Sequence, residues 1–92
     1  IDPGTGILGF GVVDMQAKKT TMVDAGVIRT PPHTAHDERL EEIYDALTEI
    51  IVETKPDMVS IEKLFFSKNI TTAMTVSEAR GVVVLAARKA RL

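Results

Sequence analysis

The sequence predicts an α/β fold in which an antiparallel hairpin, one further strand and two helices share a core. Two β-rich segments, residues 7–14 and 22–28, flank the short polar run 16–19, which is typical of a hairpin. Apolar residues then recur at three- and four-residue spacing, first between residues 40 and 51 and again beyond residue 70. A short apolar run of strand type lies between these two helical patterns and completes the α/β arrangement.

The first helix is expected to follow a proline loop. Pro31 and Pro32 cannot donate to a strand ladder, so β structure ends before them. Thr34 is expected to cap the helix, with Asp37 in the reciprocal position of a capping box. Pro56 ends the helix at about Thr54. The apolar stripe that we expect to face the core consists of Leu40, Ile43, Tyr44, Leu47, Ile50 and Ile51.

The strand expected at residues 58–61 ends at Glu62, and the second helix begins at Ile70 or Thr71. This helix carries a stripe of small and β-branched residues: Ala73, Val76, Ala79, Val83, Ala86, Ala87 and Ala90. Gly81 in its middle costs about 1 kcal/mol relative to alanine, a cost that close packing against another backbone would offset. Two interpretations stay open, a helix buried within one chain and a helix that also lines a homodimer interface.

Length and composition restrict the class of protein. Ninety-two residues, 45% of them hydrophobic, form one small domain or part of a larger one. The first residue is not Met and the last helical pattern has no stop signal, so we expect a piece of a longer protein. The absence of cysteine argues against a disulfide scaffold, a thiolate metal site and a cysteine nucleophile. No apolar run reaches about 18 residues and no signal-peptide pattern is present, so we expect a cytoplasmic protein without membrane contact.

Charge is distributed unevenly along the chain, although the formal net charge is only −2. Eight acids lie between residues 37 and 57: Asp37, Glu38, Glu41, Glu42, Asp45, Glu49, Glu53 and Asp57. Bases predominate from residue 63 onward: Lys63, Lys68, Arg80, Arg88, Lys89 and Arg91. The basic half could face a polyanion. Both halves could equally be ordinary solvated faces.

Two acidic residues, Asp2 and Glu62, occur where apolar strands should end. Side chains that leave the carboxyl ends of neighbouring strands converge on one crevice, where two carboxylates repel each other unless a cation holds them. Hard oxygen ligands suit Mg²⁺ or Mn²⁺. The alternative for Asp2 is a turn residue before Pro3 and Gly4. Glu62 follows a strand expected to be buried, where an unpaired acid is costly, and this favours a functional role.

Several ordered motifs resemble the RuvC family of Holliday-junction resolvases. The run Ile-Asp-Pro-Gly-Thr-Gly at residues 1–6 precedes Gly-Phe-Gly-Val-Val at 9–13 and Gly-Val-Ile-Arg-Thr at 26–30. Arg-Leu at 39–40, Ile-Tyr at 43–44, Lys-Pro-Asp at 55–57, Ile-Glu-Lys-Leu-Phe-Phe-Ser-Lys-Asn at 61–69 and Ala-Arg-Gly-Val at 79–82 follow in order. The resemblance covers essentially the whole chain.

The resemblance implies an RNase H-like fold, a mixed sheet with an antiparallel hairpin and flanking helices. Residues 1–92 would then be a truncated nuclease domain, incomplete at both ends and lacking the C-terminal strands and helices. Members of this bacterial family act as homodimers on four-way junction DNA, nick two strands of like polarity in recombination and repair, and usually work beside a branch-migration motor. Two Mg²⁺ ions are held by four acids, of which Asp2 and Glu62 match the first two; Mn²⁺ is an alternative metal.

The resemblance also implies DNA-contacting residues. The family aromatic at the position of Phe65 stacks on a disrupted base of the junction, a contact that tolerates any base. Lys68 and Asn69, and also Lys63, would contact phosphate. Phe66 stays open between core and DNA, and Arg80 between an internal contact and DNA. His33 and His36 are expected to be surface residues.

Two other classes of function are compatible with parts of the sequence. Actin-like ATPases and sugar kinases carry a similar Asp-x-Gly-Thr-Gly run in their first hairpin, where backbone N–H groups hold phosphate. The run at 62–69, beginning with Glu62, favours the nuclease instead. The second alternative is a non-catalytic dimerisation or junction-binding module that keeps the fold without a complete acid cluster.

Overall fold

A computed structural model describes residue 1 and residues 6–31, 33–63 and 70–92, without the side chain of residue 71. Its elements are strands β1 (Ile7–Gln16) and β2 (Lys19–Arg29) and helices α1 (His36–Thr54) and α2 (Ile70–Lys89). The hairpin and both helices occur in the predicted order. None of the helices in the described ranges has the length and apolar character needed to cross a membrane.

The hairpin is longer than its apolar segments. Gln16 pairs with Lys19, so only Ala17 and Lys18 form the turn, and Ala17 takes a left-handed φ of 56°. The β-branched residues Thr20 and Thr21 continue the ladder although they are polar. The register shifts between Val12 and Val13, which is a β-bulge or a similar irregularity of the ladder.

The core lies where the start of β1 meets both helices. Leu8, Ile43 and Val83 are fully buried there, together with Leu47, Ala79 and Ala86. Ala79, Val83 and Ala86 of α2 therefore face their own chain, as both interpretations of this helix require, and the homodimer interface stays a prediction. A Cβ added to Gly81 would meet no described atom within 4 Å. Close packing within the described part thus does not explain this glycine.

The ends of α1 agree with the prediction only in part. The cap residue is Ala35, which makes no side-chain cap hydrogen bond, so the predicted capping box is wrong. The Thr34 hydroxyl donates to Pro31 O at 2.8 Å, and α1 begins one residue too late for Thr34 to be its cap residue. The predicted end at Thr54 is confirmed. Lys55 follows with φ 49° and ψ 56°, since Pro56 disfavours right-handed helix at the preceding residue.

No strand is assigned to residues 58–61 in the described structure, contrary to the expectation for that segment. The segment is nevertheless bonded to the first residue. The Ile1 nitrogen donates to Ser60 O at 2.8 Å, and the Glu62 N–H donates to Ile1 O at 2.9 Å. Ile1 thus bonds to the residues on either side of Ile61, which is the hydrogen-bond pattern of a parallel ladder. Ile1 is the only described residue before Gly6, so the described ladder stops there.

Candidate metal and DNA site

Glu62 is placed by its backbone. Its N–H donates to Ile1 O, and its own carbonyl accepts a hydrogen bond from Arg80 Nε at 3.4 Å. The first bond joins segments sixty positions apart in the sequence, and it brings the residue before Asp2 against the segment that ends in Glu62. Asp2 itself lies outside the described residues.

An open cleft of about 420 Å³ adjoins this contact. Its described lining residues are Ile1, Gly9, Phe10, Gly11, Ser60 and Glu62. Gly9 and Gly11 have no side chains, so β1 presents bare backbone on either side of the Phe10 ring. Glu62 is the one acidic group among the described lining residues. The cleft therefore combines a carboxylate with accessible backbone.

The expectation that Glu62 is buried is wrong, because its side chain is exposed in the described structure. Ile61 before it is half-buried and packs against the core. The residue thus stands where the chain emerges from the core into the cleft. Desolvation cost consequently gives no argument for its function, and the argument rests on its position.

The sequence left the role of Arg80 undecided between an internal contact and a contact with DNA. It lies on α2 between Ala79, which is fully buried, and Gly81. Its side chain is half-buried and reaches the Glu62 carbonyl, which is an internal contact. The only signal in the sequence was the Ala-Arg-Gly run, which says nothing about the partner of Arg80 because that partner is eighteen residues away.

The described residues supply only part of the ligand set that a divalent metal ion requires. No group of three or more Asp, Glu, His or Cys side chains in the described ranges could hold a metal ion. The exposed Glu62 carboxylate is a hard oxygen donor of the kind that Mg²⁺ and Mn²⁺ bind. It therefore fits as one ligand of such an ion.

The predicted DNA-contacting residues are only partly described. Phe65, Lys68 and Asn69 lie outside the described residues, as does Phe66. Lys63 is described, and its side chain is exposed directly after Glu62. It is the one predicted phosphate contact that the structure places beside the candidate metal ligand.

His36 is less exposed than the sequence predicted. His36 is half-buried, and its Nε2 lies 3.5 Å from Glu78 Oε1, so it links the start of α1 to α2. His33 is exposed as expected.

A second cleft of about 450 Å³ contains two arginines that sequence analysis did not single out, Arg29 and Arg39.

Comparisons with known proteins cover the whole chain. Residues 1–92 match the family model described as Crossover junction endodeoxyribonuclease RuvC. A relative of that description from Heliobacterium modesticaldum is 46% identical over 92 residues, which are 100% of this chain and 57% of the relative. A second, from Alkaliphilus metalliredigens, is 54% identical over 87 residues, 95% of this chain and 53% of the relative. The chain thus spans little more than half the length of these relatives.

Two solved structures also match the chain over nearly its whole length. The RuvC of T. thermophilus in complex with Holliday junction substrate superposes with a TM-score of 0.91 at 30% identity, over 99% of this chain and 58% of that one. The Thermus thermophilus RuvC structure superposes with a TM-score of 0.87 at 32% identity, over 99% and 57%. These matches confirm the expected RNase H-like fold.

Proposed function

The chain belongs to the RuvC family of crossover junction endodeoxyribonucleases, and we propose that the protein containing it resolves four-way (Holliday) DNA junctions by paired nicks. Residues 1–92 would form the first part of its RNase H-like nuclease domain. Membership of this family sets aside the kinase-type alternative, whose support was confined to the run at residues 2–6. A non-catalytic module is the outcome that the experiment below separates from a nuclease.

One observation carries the proposal within this chain. Ile1 bonds to Ser60 and Glu62 as in a parallel ladder, so the segment that leads into Asp2 runs beside the segment that ends in Glu62. Two acids that follow neighbouring parallel segments are expected at the same edge of a sheet. This arrangement supports Asp2 and Glu62 as joint ligands of a divalent metal.

In the proposed mechanism, Asp2 and Glu62 hold divalent metal together with acids from the remainder of the protein. The metal is Mg²⁺, two ions per site, with Mn²⁺ as a substitute. Such ions, when bound, activate water for attack on a phosphodiester and neutralise charge on the phosphoryl and leaving oxygens. The contribution of this chain is to present the Glu62 carboxylate from a backbone held on both sides, so that the ligand needs no rearrangement on binding.

The DNA-binding part of the proposal rests on the loop after Glu62. Phe65 would stack on an unpaired base at the junction centre, a contact worth about 1–3 kcal/mol. Lys68, Asn69 and Lys63 would bind backbone phosphates, which fix the position of the substrate without reading its sequence. The exposed Lys63 supports this assignment because it directly follows the candidate metal ligand.

The wider setting follows from the same proposal. We place the protein in the bacterial cytoplasm, in recombination and DNA repair, as a homodimer that works beside a branch-migration motor. Two symmetric sites would account for paired nicks. The side of α2 that carries Val84 and Leu85, which are 44% and 52% exposed, supports a self-association surface. Ala86 is a core residue, whereas the exposed Leu85 is the residue whose substitution would test that surface.

The test compares three acid-to-amide variants of the full-length protein on a synthetic four-way junction with Mg²⁺. Glu62→Gln and Asp2→Asn should each reduce cleavage to background, because each removes a metal ligand. Junction affinity measured in EDTA should stay within about twofold, since losing one carboxylate near phosphate does not remove a DNA contact. Glu53→Gln, an exposed acid at the end of α1, is the matched control and should cleave normally.

The proposal fails if the wild-type full-length protein binds junctions without cutting them, because that result identifies a non-catalytic module. It also fails if Glu62→Gln retains cleavage at the rate of Glu53→Gln.

A further inference from the structure

We infer that Arg80 is a positioning residue for Glu62, holding the backbone of this metal ligand in place from α2. The inference rests on the proposed function, because it assumes that Glu62 binds metal. Its geometric basis is the hydrogen bond from Arg80 Nε to Glu62 O at 3.4 Å, combined with the bond from the Glu62 N–H to Ile1 O at 2.9 Å. The peptide groups on both sides of the Glu62 Cα are therefore tied to other parts of the fold.

The place of Arg80 on α2 makes it a firm support. Ala79 beside it is fully buried in the core, so the helix cannot shift at this point without disturbing the packing. Across the described residues the one acid–base contact within 4 Å is between His36 Nε2 and Glu78 Oε1, so no described carboxylate pairs with the Arg80 guanidinium.

The consequence lies in metal binding. A residue that orients a metal ligand through a second contact typically changes metal affinity 10- to 100-fold when it is lost. Arg80 contacts Glu62 at its backbone carbonyl, so the support acts through the backbone of the ligand. The competing assignment for Arg80 is a direct contact with a DNA phosphate. That role would affect junction binding and its salt dependence and would leave metal affinity unchanged.

The experiment uses the full-length protein and measures the affinity for Mn²⁺ alone by calorimetry, beside cleavage and junction binding in EDTA. Arg80→Met keeps most of the side-chain length and removes the donor, and it should weaken Mn²⁺ binding at least about tenfold. Arg80→Lys keeps a donor and should recover most of that loss. Arg88→Met removes the same charge from an exposed position near the end of α2 and should behave as wild type. Junction affinity and its salt slope should be unchanged in all three.

Three results would overturn the inference. One is unchanged Mn²⁺ affinity in Arg80→Met with a salt slope reduced by about one phosphate contact, which assigns Arg80 to DNA. Another is a loss of Mn²⁺ affinity that Arg80→Lys does not recover. The third is a lower melting temperature with Mn²⁺ affinity intact, which makes Arg80 purely structural. If Arg80→Met is insoluble, Arg80→Gln replaces it with the same expectations, because its amide is too short to reach the carbonyl.

Failure of this inference can be told apart from failure of the proposed function. Glu62→Gln is measured for Mn²⁺ affinity in the same series. If it loses affinity while Arg80→Met does not, only the role of Arg80 is wrong. If Glu62→Gln binds Mn²⁺ as tightly as wild type, the metal-ligand assignment fails, and the inference about Arg80 fails with it.

Discussion

Glu62 is distinguished from the other exposed acids of this chain by what holds its backbone. The acids on the outer face of α1 occupy one regular helix, where neighbouring acids point into solvent. Glu62 instead follows a half-buried residue, and its two peptide groups bond to Ile1 and Arg80. An exposed carboxylate on a fixed backbone can bind a ligand without losing much backbone conformational entropy. This is the property that a metal-binding acid requires.

Phe65 provides the test of junction stacking at the scale of one side chain. In the full-length protein, Phe65→Ala should lower junction cleavage by about 5- to 150-fold, because it removes a stacking contact of about 1–3 kcal/mol at the junction centre. The melting temperature should change much less. The measurement pairs single-turnover cleavage with thermal unfolding.

Phe65→Leu is the matched control for this prediction, since leucine retains apolar volume but cannot stack on a base. It should cleave poorly as well and melt close to wild type. If Phe65→Ala and Phe65→Leu are both destabilised and both cut normally, Phe65 belongs to the core and not to the DNA interface.

At the scale of the element, the two sides of α2 differ in burial. Ala79, Val83 and Ala86 pack against β1 and α1, whereas Val84 and Leu85 are exposed. Positions 83 and 84 are adjacent and carry the same residue type. The same substitution at both positions therefore separates the effect of burial from the effect of helix propensity, because the change in propensity is the same at both.

This contrast gives a prediction for the 92-residue chain. Val83→Ala should reduce the free energy of unfolding by about 2 kcal/mol, because it removes two buried methyl groups and leaves a cavity. Val84→Ala should change it by less than about 0.5 kcal/mol or stabilise the helix slightly. Urea unfolding followed by circular dichroism measures both. Equal losses at the two positions would show that α2 does not pack as described.

At the scale of the whole molecule, the hairpin stands out because both of its strands carry exposed apolar residues. Exposed large apolar residues on its strands are Ile7, Val13, Met15, Met22, Val23 and Val27. A two-stranded sheet is only marginally stable by itself and normally gains stability from further strands or a packed helix. Relatives of this chain extend well beyond the part that it covers. The site is expected to be incomplete in the same way as the sheet.

The prediction at this scale is that residues 1–92 alone do not cut junctions. Asp2 and Glu62 supply at most two carboxylates, whereas a two-metal site needs about four ligands, and the described residues contain no larger acidic cluster. Purified 1–92 incubated with a synthetic four-way junction and Mg²⁺ should leave it intact, while the full-length protein cuts it. Reproducible paired nicking by 1–92 would show that the metal-site assignment is wrong.

Local patterns in the sequence were sufficient for the hairpin, the start of α2 at Ile70 and the end of α1 at Thr54. Each of these depends on neighbours within a few residues, through period-two or period-3.6 spacing or the steric effect of Pro56. The ordered motifs also identified the family, because they extend over the whole chain. The pair of acids was predicted from the same motifs, although Asp2 lies outside the described residues and its role stays a prediction.

Tertiary structure decided the features that depend on distant partners. The Thr34 cap was wrong because α1 begins one residue later, with Ala35 as its cap residue, and the burial of Glu62 was wrong because the chain leaves the core at that residue. The sequence contained no information on which acceptor Arg80 reaches, since its partner lies eighteen positions away. The pairing of Ile1 with the segment that ends in Glu62 is likewise non-local. Propensity and periodicity act over one or two turns of chain, whereas contacts of this kind exist only after the helices and the hairpin have packed together.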